Sequence, residues 1–132
     1  MKYLLDTHVF LWAISNKSEL SKKALSILKS ENNEIFVSSV TLWEIAIKTR
    51  ISKLKIDGIS VQDLPKTIKK LDFEIIELNG DDAISYKYCK ENTHKDPFDR
   101  MLIQQSINRK IPIISKDKEF KKFIPFGLEL IW

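Results

Sequence analysis

Two hydrophobic periods alternate along this chain. Short apolar runs such as Tyr3-Leu4-Leu5, Ile35-Phe36-Val37 and Ile113-Ile114 stand between longer segments in which apolar residues return every three or four positions. The first pattern predicts buried strands and the second predicts helices. Strands are expected over residues 2–5, 34–37, 73–78, 111–115 and 128–132. Helices are expected over residues 8–14, 21–30, 40–51, 61–71, 82–91, 96–109 and 118–123. Local signals support these bounds: Ser18-Glu19-Leu20-Ser21 before the second helix, Ser38 or Ser39 as cap of the third, and Pro65 near the start of the fourth. Asp57-Gly58 centres a loop over residues 53–60, Asn79-Gly80-Asp81 a turn, and residues 92–95 form another loop.

Strands separated by helices pair in parallel, with right-handed crossovers and helices on both faces. The expected fold is therefore α/β: a doubly wound, three-layer parallel sheet of about five strands. Ligands in such folds bind beyond the carboxyl ends of the strands, at the point where the strand order reverses.

Composition narrows the setting. The 132 residues, 43% of them hydrophobic, suit one domain over residues 1–132, and 3 glycines with 4 prolines leave little material for a linker. The single cysteine, Cys89, cannot form an internal disulfide, fits a reducing cytoplasm and is read as a packing residue. Asp6 falls where a signal peptide needs its apolar stretch, and no run is long enough to span a bilayer, so a soluble cytoplasmic domain is expected. The net charge of +4 permits a polyanionic partner, although a solvated lysine-rich surface accounts for it equally well.

Five acids stand at the strand–helix junctions: Asp6, Glu44, Asp96, Asp99 and Asp117. Asp6, Asp96 and Asp117 each precede a helix and have a ready explanation as caps. Asp96-Pro97-Phe98-Asp99 comes close to a capping box. Glu44 resists that explanation. It lies more than a turn into an apolar helix, on a narrow polar strip with Thr41 and Lys48, so an i,i+4 pair with Lys48 is one account and a polar site is the other. Asp99 has Leu102 and Ile103 as helical neighbours and must project toward the packed side, where it needs a donor or a cation. Convergent carboxylates repel one another; Mg²⁺ or Mn²⁺ removes that penalty, and an all-oxygen donor set suits those ions. His8 and His94 do not form a ligand-like pair, and His94 is read as a loop residue, with a place near the substrate phosphate as the alternative.

Leu5-Asp6-Thr7-His8, the segment Ser39 to Ile45 around Glu44, His94-Lys95-Asp96-Pro97-Phe98-Asp99-Arg100 and Ile114-Ser115-Lys116-Asp117 resemble, in this order, the PIN-domain ribonucleases. The likeness is to the VapC-like toxins of bacterial type II toxin–antitoxin systems, and it covers essentially the whole chain. It implies an Mg²⁺- or Mn²⁺-dependent endoribonuclease that cleaves RNA phosphodiester bonds, an antitoxin partner and a homodimer. Matched position by position, the resemblance makes Asp6, Glu44, Asp99 and Asp117 the catalytic, metal-binding acids, with Asp6 and Asp99 as direct ligands. Asp96 ranks second, as ligand or cap. Ser115 stands where these proteins usually carry threonine. Thr7, Ser38, Ser115, Arg100, Lys48 and Lys116 are candidates for contacts to water or phosphate.

Two other classes compete. A catalytically weak PIN-like module for RNA or protein binding would share the fold, and retention of all the acids argues against it. A receiver-like phosphoacceptor needs an aspartate ending the third strand, where this chain has Leu78-Asn79. Trp12, Trp43 and Phe10 are expected in the core, with a partner groove as the alternative.

Overall fold

The computed structural model describes residues 1–132. Its five strands are β1 (Lys2–Leu5), β2 (Glu34–Ser38), β3 (Glu74–Ile76), β4 (Ile113–Ile114) and β5 (Leu130–Ile131). They form one parallel sheet in the order β3-β2-β1-β4-β5. Consecutive side chains of a strand point to opposite faces, and β1 divides accordingly. Tyr3 and Leu5 join Val9, Phe10, Ala24, Leu64 and Ile68 in one core. Leu4 joins Met101, Leu102, Ile103, Phe120 and Phe123 in a second core across the sheet. The expected layered architecture is thus present.

The helices are α1 (Thr7–Ser15), α2 (Lys22–Lys29), α3 (Ser39–Arg50), α4 (Leu64–Lys70), α5 (Gly80–Ser85) and α6 (Pro97–Arg109). Ser21 caps α2 by accepting from Ala24 N at 3.0 Å, and Ser38 caps α3 by accepting from Val40 N at 3.0 Å. No helix is long and apolar enough to cross a membrane.

Several elements are shorter than the hydrophobic pattern implies, each for a local reason. The segment over residues 61–71 splits into a 3₁₀ turn (Val61–Asp63) and α4, because Pro65 has no N–H to continue a helical ladder through it. α5 starts earlier than expected, at Gly80, because Asn79 and Asp82 form a reciprocal capping box. It then gives way to a 3₁₀ turn (Tyr86–Tyr88) where Ser85 Oγ donates to the Asp82 carbonyl at 2.7 Å. β3 stops at Ile76, and the Leu78 N–H goes to Ser39 Oγ at 2.9 Å. β4 has two residues, since Pro112 lacks a donor and the Ile111 N–H closes the end of α6 on the Ser106 carbonyl at 3.0 Å. The last helix is a 3₁₀ helix (Lys118–Phe126) that ends at Gly127, whose φ of 105° suits glycine.

Phe10 is fully buried, as expected, and Trp12 is half-buried. Trp43 departs from the expectation of core packing. It is 59% exposed and meets Phe98 edge-on at 5.4 Å. α3 buries Val40 and Ile45 in the two cores, and Trp43 falls on the side left uncovered.

Candidate functional site

The strand order reverses between β1 and β4, and residues from both strand ends meet there. Leu5 pairs with Val37 on one side and Ile114 on the other, so Asp6 follows β1 directly beside Ser115. Asp6 is 3% exposed. Its Oδ1 caps α1 by accepting from His8 N at 2.9 Å, and its Oδ2 accepts from Ser115 Oγ. The same Ser115 oxygen accepts from Asp117 N at 3.1 Å, and Asp117 caps the following 3₁₀ helix by accepting from Glu119 N at 2.9 Å. Burial pushes the Asp6 carboxyl above its usual range, against the lowering effect of the Ser115 and His8 bonds.

Glu44 reaches the same edge from α3. Its Oε1 accepts from Thr7 Oγ1 at 2.7 Å and its Oε2 from Lys48 Nζ. Thr7 has only one proton to give, so the 3.0 Å contact with Thr41 is donated by Thr41. The polar strip read from the sequence therefore serves both purposes: it pairs Glu44 with Lys48 and holds it against the residue after Asp6. Burial lowers the Lys48 pKa, but the bond to Glu44 and the charges of Glu44, Asp96 and Asp99 outweigh it, so the amine stays protonated.

α6 brings the rest. Asp96 accepts from Phe98 N at 2.9 Å and Asp99 N at 3.0 Å, which makes it the N-cap. Asp99 does not complete a capping box. Its Oδ2 lies 3.0 Å from His94 Nε2 instead. The Asp99 carboxyl is pushed up to about 7, by burial first and then by the charge of Asp96, with Asp6 and Glu44 adding to it. One ligand atom from each of His94, Asp99 and Asp117 lies within 4.8 Å of the other two.

His94, read from the sequence as a loop residue, is thus part of the cluster. A buried frame holds it there. Glu91 accepts from His94 N at 2.9 Å, from Thr93 N at 2.9 Å and from Thr93 Oγ1, while Arg100 donates to the His94 carbonyl at 2.7 Å and lies 3.7 Å from Glu91. These bonds, led by the Thr93 hydroxyl, hold the Glu91 carboxyl at about 2. Arg100, a candidate phosphate contact, is turned inward over the Tyr86 ring at 5.4 Å. The Thr7 and Ser115 hydroxyls also have protein partners, and Ser38 Oγ donates to Gln105 Oε1 at 2.5 Å. Gln105 in turn donates to Asp82 at 3.1 Å, and Asp82 receives both Arg109 nitrogens at 2.7 and 2.8 Å. The Glu91 frame and the Asp82 network are absent from the sequence reading; each joins residues on different elements that no single motif contains.

Carboxylates with raised pKa values and few cationic partners fit a hard divalent cation, and their oxygens can supply its ligands. A parallel sheet with acids gathered at its reversal point defines a class, and the comparisons agree. The sequence matches the PIN domain family over residues 3–124, and the chain belongs to that family. The fold is similar to that of VapBC2 from Rickettsia felis bound to a DNA fragment from their promoter, at 23% identity and a TM-score of 0.73, over 100% of this chain and 99% of that one. DNA-bound VapBC from Salmonella typhimurium matches at 18% identity and a TM-score of 0.68, over 99% and 97% of the two chains. VapBC-5 from Mycobacterium tuberculosis, a member of the VapBC family of toxin–antitoxin systems, matches at 18% identity and 0.62, over 98% and 97%. No curated protein matches the sequence.

Proposed function

We propose that this chain, as one domain over residues 1–132, is an Mg²⁺- or Mn²⁺-dependent endoribonuclease that acts in the cytoplasm as the toxin of a type II toxin–antitoxin pair. The observation that carries this reading is Asp6. It is a carboxylate buried at the sheet reversal with only neutral donors as hydrogen-bond partners, near enough to Glu44 and Asp99 for their charges to act on one another and joined to Asp117 through Ser115. Asp6 and Asp99 would hold the cation, with Asp117 and Glu44 completing the site. Held there, the cation would neutralise the carboxylates and would supply the activation of a water for in-line attack on the phosphodiester.

The chain's own residues supply the positioning. Ser115 fixes Asp6 and the start of the Asp117 turn together, Thr7 and Lys48 fix Glu44, and Asp96 sets the direction of the first turn of α6 from which Asp99 projects. Beside Asp117 an opening of about 460 Å³ is lined by Lys116, Lys118, Lys121 and Trp132, charges and a ring suited to a single-stranded RNA backbone and its bases. Exposed apolar side chains, among them Trp43, Ile84, Tyr88, Ile124 and Phe126, are available to a protein partner. The similar folds include a toxin–antitoxin complex from Klebsiella pneumoniae, and we extend that association to an antitoxin here, with the homodimer expected from the resemblance.

The test is incubation of the purified chain with single-stranded RNA and Mg²⁺ or Mn²⁺. Cleavage that disappears on chelation and in Asp6→Ala is expected. Cleavage indifferent to both would overturn the reading, and RNA binding without cleavage would favour the catalytically weak binding module.

A further inference from the structure

We propose that His94 is itself a metal ligand, its Nε2 joining Asp99 and Asp117 in a mixed nitrogen–oxygen site that favours Mn²⁺ over Mg²⁺. This rests on the divalent-cation reading above and adds to it a donor that an all-carboxylate site lacks. Three observations carry it. The first is spacing. His94 Nε2 and Asp99 Oδ2 are 3.0 Å apart, and the Asp117 oxygen completes a triangle with no side beyond 4.8 Å. Neighbouring ligands of an octahedral ion, each at about 2.1 Å, stand about 3 Å from one another and opposite ones about 4.2 Å, so His94 and Asp99 already have ligand spacing and Asp117 needs only a small side-chain movement to join them. The second is direction: Nε2 is the ring nitrogen turned toward Asp99 and the cluster, and with its proton on Nδ1 it would offer a lone pair to a cation there.

The third is preparation. The His94 side chain is 12% exposed, and its ring meets Phe120 and Phe123 edge-on at 6.1 Å each. Its backbone is held at both ends, the N–H by Glu91 and the carbonyl by Arg100. A loop histidine serving only solubility needs none of this, and His8, 67% exposed at its side chain, has no comparable frame. Imidazole nitrogen favours first-row transition ions, whereas Mg²⁺ is served by oxygen alone. His94 therefore tilts the site toward Mn²⁺.

The test uses Mn²⁺ as a paramagnetic probe. Electron spin-echo spectra of the Mn²⁺-loaded chain should carry the coupling of a coordinated nitrogen, and that coupling should change when the protein is labelled with ¹⁵N-histidine. His94→Gln should remove it and weaken Mn²⁺ binding about 10-fold or more while changing Mg²⁺ binding far less. His8→Gln should leave it intact. The chain has 2 histidines, so a coupling that persists in His8→Gln assigns His94 even if His94→Gln fails to fold. Bound Mn²⁺ without a coordinated nitrogen, or a signal lost in His8→Gln, overturns the assignment and leaves the cation reading standing. A wild-type chain that binds no Mn²⁺ overturns both.

Discussion

Ser115 Oγ donates to Asp6 Oδ2 and accepts the Asp117 N–H, so one hydroxyl ties the end of β4 to the end of β1. Ser115→Ala leaves Asp6 with the His8 N–H alone and frees the Asp117 turn. The expected loss is about 1 kcal/mol of stability, with weakened divalent-cation binding. Ser115→Thr keeps the hydroxyl and should restore both. Chemical denaturation and metal titration of the two variants check this.

Asp99 makes the metal-free protein sensitive to pH. Its carboxyl titrates at about 7 when folded, against the ordinary 3.8, owing to burial and then to the charge of Asp96. Between these values the folded chain keeps a proton that the unfolded chain releases. This contribution is full below the unfolded value and is lost as pH rises through the folded one. Asp6, raised mainly by burial, acts in the same direction. The metal-free protein should melt higher at pH 5.5 than at pH 8, and Asp99→Asn should narrow that gap. A gap of unchanged size in the variant counts against the assignment.

Lys48 and Glu44 form a pair in which only the carboxylate is fully buried. Lys48→Met should cost about 1–3 kcal/mol, because the buried Glu44 side chain is left with Thr7 as its remaining donor. Adding Glu44→Gln should recover at least half of that loss. A double-mutant cycle in urea measures the coupling; additive losses would mean that the two residues act independently.

Asp82 offers a control distant from the metal-site acids in its role. Its carboxylate receives both Arg109 nitrogens, Gln105 and the Asn79 cap, and these donors hold its pKa down against the effect of burial. Asp82→Ala should destabilise by about 3 kcal/mol and leave Mn²⁺ affinity in the folded protein within about 2-fold, a change of no more than about 0.4 kcal/mol. Thermal melts with and without Mn²⁺ separate the two effects.

The layered fold was legible because β1 and β2 carry short apolar runs and helix starts are signalled at Ser21, at Ser38 or Ser39, and at Asp96-Pro97. Asp6, Glu44 and Asp99 were legible as candidates because a carboxylate after a buried strand, on the one polar strip of an apolar helix, or beside Leu102 and Ile103 conflicts with its surroundings. His94 was not. Nothing in residues 92–95 states that Glu91 and Arg100 will bury themselves and fold the loop around the imidazole. Ser115 was identified as a hydroxyl beside Asp117, but its bond to Asp6 spans 109 positions and exists only once β4 lies against β1. Trp43 misleads because an indole beside Leu42 and Ile45 reads as core, and only the packing of α3 shows which side stays open.

The strand order gives this assembly a direction in time. A growing polypeptide that has emerged through α5 already holds Asp6 and Glu44, yet it lacks α6, β4 and the turn at Asp117. β4 takes its place beside β1, so the first strand must wait, half-paired, until residues 113–114 have been made. No truncated translation product ending before residue 113 can gather all four acids at the sheet edge. A ribosome stalled short of that point would release a polypeptide without an assembled centre.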